Sequence, residues 1–270
     1  MSPPPAERYQ GDFIAWTGVC GFIGRGGGPS IEPHSHYAIQ LALGAPTGLR
    51  VQPGRHGEWQ ACAAALVPSR AVHSIDVNEC GFSAVLFIEP ETAQGRALAA
   101  RLGGGVELLG RSTVAACAAR LQAAWEVEKS YGAVRAACMD LVRELSGAAP
   151  NTPSDPRVLA AIEYVRERAG QGVSLADVAK AAHLSPERFR HLFVEETGMA
   201  LRTYLLWRRL LHVWTLLMAG ETLSGAAHAA GFADSAHLSR TARTMFGLPP
   251  SVLQMRGPLS AQARERHHLD

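Results

Sequence analysis

The sequence is poor in cysteine and shows no pairing among the ones it has. Five cysteines in 270 residues, an odd number without regular spacing, argue against a disulfide framework. Net charge of one sign is scarce as well: a formal +2 does not by itself point to nucleic acid. No uninterrupted apolar run reaches the ~18 residues that a membrane span needs, so no membrane partner is expected. The opening Met-Ser-Pro-Pro-Pro lacks a basic segment followed by an apolar run, which predicts no secretory signal and a cytoplasmic protein. The glycine-rich stretch from Gly24 to Pro29 is not followed by a helix with a Gly-Lys-Ser start, so it reads as a loop and not a phosphate cradle. No catalytic constellation is visible, and no enzymatic activity is expected.

What is present divides in two. The length suits two domains. Residues 1–152 carry 12 Lys and Arg against 13 Asp and Glu, whereas residues 153–270 carry 14 against 11. The C-terminal part is therefore net +3, weak support for phosphate binding. Between the parts, Pro150, Pro153 and Pro156 cannot continue a helix and bring no core residues, which predicts a linker over 148–156. It separates a domain at 9–147 from one at 157–257.

The strongest pattern lies between Leu175 and Leu253. Ser174 with Asp177 three residues on forms a capping-box pair, and Leu175, Val178, Ala179 and Ala182 share a helix face. After a break closed by Leu184, Ser185 caps a second helix with Pro186 at its first position. Phe189, Leu192 and Phe193 are its buried face, and Gly198 ends it. The pattern recurs: Leu223, Ala227, Phe232, Leu238 and Gly247 repeat Leu175, Ala179, Leu184, Phe189 and Gly198, with one extra residue in the second turn. Leu201 to Met218 is apolar at helical spacing without Gly or Pro, which predicts a long helix joining two helix-turn-helix units, about 174–198 and 222–247. Arg157 to Ala169, with Val158, Ala161, Ile162 and Val165 on one face, predicts a helix before them.

The tandem repeat, with Gly-Phe-Ala-Asp-Ser-Ala-His-Leu-Ser-Arg-Thr and the closing Phe-Gly-Leu-Pro-Pro-Ser, resembles the DNA-binding domain of the AraC/XylS family of bacterial transcription regulators. The resemblance covers about the last 115 residues, a plausible size for one domain. It implies double-stranded promoter DNA as partner, a small-molecule effector for the other domain, activation of transcription, and RNA polymerase and a second copy of the chain as further partners. By match to the family motif, Glu187, Arg190 and His191, beside Arg188, face DNA on the first recognition helix. On the second, capped by Asp234, the matching positions are Ser235, Ala236, His237, Ser239 and Arg240, with Arg243 at phosphate. Val194, Glu195 and Glu196 stand where relatives tend to be basic, and Leu238 and Ala242 where they are often aromatic. Residues 153–270 are expected to bind DNA without the other domain.

The N-terminal half reads as short strands separated by Gly, Pro and charged turns: Phe13–Cys20, Tyr37–Leu43, Leu49–Gln52, Cys62–Val67 and Phe82–Ile88. Helices follow at Ala93–Leu102, Ser112–Glu128 and Ala133–Leu145, the second with an apolar stripe of Val114, Cys117, Ala118, Leu121 and Trp125. The fold expected for the whole chain is α+β: a barrel with following helices, then an all-α domain. In an extended strand His34, His36, Ala38 and Gln40 share a face, with Tyr37, Ile39, Leu41 and Leu43 on the other. His34-Ser-His36 to Gln40 and Pro68-Ser-Arg-Ala-Val-His73 resemble the two metal-binding motifs of cupin barrels. Gln40 replaces the carboxylate, and Arg70 a glycine. A neutral amide is a poorer ligand, so His34, His36, Gln40 and His73 are expected to line the interior and contact a ligand, with no resident cofactor. The alternative is a divalent metal on His34, His36 and His73, in a metal-dependent cupin enzyme or metal sensor fused to a DNA-binding domain. Cys20, Cys62 and Cys80 are expected to be small core residues.

Overall fold

The computed structural model describes residues 9–26, 30–147, 155–168, 172–255 and 257–260. The end of the glycine run, 27–29, and most of the expected linker, 148–154, lie outside the described residues.

Alternating apolar residues punctuated by glycine turns build eleven strands among the described residues. They are β1 (Tyr9–Trp16), β2 (Val19–Arg25), β3 (Ile31–His34), β4 (Ile39–Ala45), β5 (Leu49–Pro53), β6 (Gln60–Cys62), β7 (Ala64–Val67), β8 (His73–Asp76), β9 (Phe82–Ile88), β10 (Glu107–Leu109) and β11 (Leu253–Met255). Seven form one sheet in the order β10-β7-β4-β9-β2-β1-β11, and four form another in the order β3-β8-β5-β6. The run Phe13–Cys20 is not one strand. Gly18, at φ +79°, takes a left-handed turn that other residues resist, and β1 folds back on β2 with Trp16 opposite Val19. In β4 every residue from Ile39 to Leu43 is at most 1% exposed. One face looks into the barrel; α1 (Ala93–Leu102) and α2 (Arg111–Ala123) pack on the strand from outside. A π-helical turn at Ala124–Glu128 and α3 (Tyr131–Ser146) complete that cover. The α2 stripe of Val114, Cys117, Ala118 and Leu121, continued by Trp125, is buried.

The His-x-His segment departs from the expected single strand. Pro33 gives no N–H to a sheet, and the chain leaves β3 at His34, bends, and enters the other sheet as β4 at Ile39. His34 and Gln40 therefore reach a common place from two sheets, while His36 sits on the crossover between them.

The C-terminal helices are α4 (Pro156–Glu167), α5 (Leu175–Ala181), α6 (Pro186–Thr197), α7 (Leu201–Met218), α8 (Leu223–Ala229) and α9 (Ser235–Phe246). The two pairs α5–α6 and α8–α9 have equal helix lengths, 7 and 12 residues, and the extra residue falls in the second turn. Each turn is closed alike: Leu184 N–H bonds Ala179 O at 2.9 Å, and Phe232 N–H bonds Ala227 O at 2.9 Å. The left-handed residue that permits this is Gly231 in one unit and His183 in the other. Ser174 and Asp177 cap each other as a complete box, and Ser185, Thr222 and Asp234 each accept a backbone N–H. Such caps are worth ~1 kcal/mol each. Between the units lies α7, whose Tyr204, Trp207, Leu210, Val213 and Trp214 are fully buried.

The two halves are joined by more than the linker. After α9 the chain returns to the barrel and lays β11 parallel to β1, with Tyr9 opposite Leu253. Asp12 of β1, 1% exposed, fixes this return. Its carboxylate accepts from Ser260 N at 2.7 Å, Leu259 N at 3.1 Å and the Trp125 indole N–H at 2.8 Å. Three donors on one buried carboxylate satisfy a charge that would otherwise be costly there.

Candidate nucleic-acid interface and sensor chamber

On α6, Phe189 and Phe193 are buried, while Glu187, Arg188, Arg190 and His191 are exposed. A helix rotates about 100° per residue, so a core face on 189 and 193 turns these four outward. On α9, Leu238, Ala242 and Phe246 are buried; Ala236, Arg240 and Arg243 are exposed, and Ser235, His237 and Ser239 half-exposed. The His237 ring leans on Phe232, with centroids 5.4 Å apart, so it contributes an edge and not a free ring. None of Arg188, Arg190, Arg240 and Arg243 makes an ion pair among the described residues. Arg240 and Arg243, with Thr244, also form one wall of a groove of about 480 Å³ whose other wall is the barrel rim at Glu32, Pro33 and Arg55.

Behind α9 lies a void of about 70 Å³, lined from the barrel by residues including Phe22, Ile23, Ile31, Val85 and Phe87 and from the helical domain by Phe246 and Leu248. His34 and Gln40 supply polar groups at its wall, and Asp12 and Arg25 others. Phe246 is the plug. Its ring lies 5.1 Å from Phe87, 6.0 Å from Phe22, 5.9 Å from Trp214 and 5.4 Å from Trp207. His36 and His73 are 4% and 0% exposed, and both bond Gln40 Oε1, at 2.6 and 3.1 Å. Burial pushes His34 down to about 3 and His36 to about 4, and takes His73 well below the usual imidazole range. All three are neutral at pH 7. All five cysteines are free; burial holds the Cys20 thiol well above its ordinary value and pushes Cys80 up to about 11, so neither is a reactive thiolate.

A second junction escaped the sequence reading. Glu89, at the end of the β9 run, accepts from Arg166 of α4 and from Arg208 of α7 at 3.1 Å. Glu91 lies 3.8 Å from Arg166 and accepts from the Tyr37 hydroxyl, and the Tyr37 ring packs edge-on against Tyr204 at 6.0 Å. Burial, then the neighbouring Glu89 charge, pushes Glu91 up to about 7. Arg70, which stands in place of the motif's glycine, sits at φ +64°. Its N–H bonds His36 O at 2.8 Å, and its guanidinium reaches the C-terminal end of α6. A methyl placed on Gly198 would stand 2.7 Å from Nη2.

A helix-turn-helix domain model matches residues 178–256. An uncharacterised helix-turn-helix-type transcriptional regulator of Escherichia coli K12, YijO, is 33% identical over 112 residues, 40% of each chain. The transcriptional activator RhrA of Rhizobium meliloti is 30% identical over 118 residues, 42% of this chain and 37% of its own. The chain thus matches only about two fifths of the length of these curated relatives. Over most of the chain the fold is similar to that of ToxT from Vibrio cholerae O395, with TM-score 0.54 at 11% identity, covering 87% of this chain and 96% of that one. It is also similar to ToxT bound to an unsaturated fatty acid, with TM-score 0.51 at 11% identity and coverage of 91% and 92%.

Proposed function

We propose that this chain, whose residues 178–256 match a helix-turn-helix domain model, is a transcription regulator of the AraC/XylS type that reads promoter DNA with α6 and α9 and senses a small apolar molecule in the barrel. One observation carries the reading. Two capped helix-turn-helix units of matching geometry each present, on the outer face of their second helix, arginines without an ion pair among the described residues. Arg190 and Arg240 suit base edges, and Arg188 and Arg243 suit phosphate. The chamber supports the second part: its wall is mostly apolar, with His34 and Gln40 as polar groups. A void of about 70 Å³ is far below the ~300 Å³ and more of ordinary ligand sites. An effector must therefore displace Phe246 and Leu248, and so acts on the end of α9.

The reading assigns no catalysis and places the protein in the cytoplasm; no helix among the described residues is long and apolar enough to cross a membrane. The role is activation, as for the transcriptional activator RhrA, with RNA polymerase as a partner on the promoter. Val127 and Met139, 77% and 46% exposed, are apolar residues on the helical cover that a second copy of the chain would bury.

The test is promoter binding by the full chain across a salt series, because each neutralised phosphate steepens the salt dependence. Arg240→Ala should cost ~1–3 kcal/mol and relax preference at one base pair. Its melting temperature should stay near the parent's, since exposed substitutions shift stability by only ~0.5 kcal/mol. Unaltered affinity for the specific site in Arg190→Ala and Arg240→Ala alike would refute the reading.

A further inference from the structure

The outer face of α9 meets open solvent on one side and the barrel rim on another. Arg240, Arg243 and Thr244 stand at i, i+3 and i+4, so they share one flank of the helix. That flank looks across the groove of about 480 Å³ at the rim. The rim's basic residue there is Arg55, in the turn between β5 and β6. This turn is held on both sides. Gly54, at φ +72°, gives its N–H to Val72 O at 2.7 Å, and the Gln52 amide donates to Gly57 O at 2.8 Å. The spacing of helix and rim is fixed too, because a methyl on Gly247 would stand 2.5 Å from Ile31 Cγ2 and 2.7 Å from Glu32 O. Arg55 thus lines the groove opposite α9 from a rigid base, in the half of the chain that carries no helix-turn-helix motif.

The charges in this groove do not balance. Three guanidiniums line it, from Arg55, Arg240 and Arg243, against one carboxylate, Glu32. All four residues are exposed, and none makes an ion pair among the described residues. The remaining ionisable group in the wall is His34, which burial keeps neutral. Like charges around a space open to water suit a partner with several negative groups in a row. The helix itself says which partner. An α-helix with its side chains is about 10–12 Å across, and the major groove of B-DNA is about 12 Å wide. A helix lying in that groove therefore has a phosphate strand along each flank. On the Arg240 and Arg243 flank of α9, that strand runs between the helix and the barrel rim.

We propose that the barrel itself takes part in DNA binding: the groove between α9 and the rim receives one phosphate strand, which Arg55 grips from the barrel and Arg243 from the helix. This inference rests on the proposed reading of α9 as a DNA-facing helix and adds to it a contact from the other domain. A phosphate contact fixes register and orientation but carries no sequence information. Arg55 therefore raises the affinity of the second helix-turn-helix unit for any duplex and leaves its base preference alone. The grip also depends on where the end of α9 sits on β3, since that docking sets the width of the groove.

The experiment titrates the full chain with a labelled duplex of random sequence and about 30 base pairs, long enough for two adjacent major grooves. Random sequence serves because the contact is to phosphate. Each neutralised phosphate contributes about −0.9 to the slope of log K against log salt concentration. Arg55→Ala should make the slope shallower by about that amount. A contact worth nothing at ~1 M salt is then worth about 15-fold at ~50 mM and about 4-fold at ~200 mM, and affinity should fall by these factors. Arg55→Lys keeps the charge and should restore most of the loss. Glu32→Gln removes the one carboxylate and should tighten binding, a gain that a misfolded variant cannot produce. If Arg243→Ala weakens binding while Arg55→Ala keeps the parent's affinity and slope or binds more tightly, or if Glu32→Gln brings no gain, the barrel takes no part and the proposal is overturned. If Arg190→Ala and Arg243→Ala both bind as the parent does, the DNA reading of the helices has failed and this inference falls with it.

Discussion

The barrel grips the helical domain by two unlike junctions. On the α4 and α7 side the contact is a polar clasp, with Glu89 and Glu91 facing Arg166 and Arg208, and Tyr37 against Tyr204. On the α9 side it is an apolar plug, Phe246 among Phe22, Phe87, Trp207 and Trp214. A buried ion pair has narrow geometry and strong pH dependence, and it adds little net stability over an apolar contact of the same shape. An apolar plug responds instead to what shares its cavity. The clasp thus fixes where the first helix-turn-helix unit stands, whereas the plug leaves the second unit open to displacement by a ligand.

The largest effect should come from removing the plug. Phe246 is 5% exposed, and Phe246→Ala should lower stability by ~3–5 kcal/mol. The loss should change little with pH, and the enlarged chamber should take up apolar dyes that the parent excludes. Denaturant melts with and without such a dye measure both.

A smaller contrast separates the glycines that end α6 and α9. Gly247 and Gly198 share φ near +70°, where a side chain costs ~1–2 kcal/mol. At Gly247 the new methyl also meets Glu32 O and Ile31, backbone and packed core that cannot yield. At Gly198 it meets only the end of the Arg70 side chain, which can swing away. Gly247→Ala should therefore cost ~3 kcal/mol and Gly198→Ala ~1 kcal/mol. Equal losses would show that α6 and α9 are docked alike.

The subtlest test concerns the clasp. Glu91 is held up to about 7 from an ordinary 4.5 by burial and by Glu89. Between those values the folded protein keeps a proton that the unfolded chain has released, so stability from this group is full below pH 4.5 and is lost as pH rises through about 7. Glu91→Gln keeps an acceptor for Tyr37 and cannot ionise. The stability difference between variant and parent should grow from pH 5 to pH 8 in favour of the variant. A difference that is flat with pH would place the charge elsewhere in the clasp.

What could be read beforehand was what is local. Capping pairs, apolar spacing and glycine stops lie within a few residues of one another, and they mark α5 to α9 because a helix is built from i to i+4 contacts. The strands at Leu49 and Phe82 were legible for the same reason. The His-x-His segment was misjudged as one strand, since alternation is the same whether a chain stays in a sheet or crosses to the next. The clasp was invisible: Arg166 and Arg208 stand 77 and 119 residues from Glu89. No periodicity links them. The plug stands at the head of the closing Phe-Gly-Leu-Pro-Pro-Ser, but its partners in β2 and β9 could come only from the tertiary fold.

The pairing of β1 with β11 sets a timetable for the molecule as it is made. Tyr9 and Leu253 are partners, so an edge that leaves the ribosome early waits for nearly the whole remaining chain. At a synthesis rate of ~5–20 residues per second that wait is on the order of 10–50 s. Through it the flank of β1 offers free N–H and C=O groups, the kind of edge on which chains join wrongly. The wait ends only after α9 has emerged, because the strand that closes the edge follows that helix. The barrel therefore reaches its finished form in the same step as the helical domain.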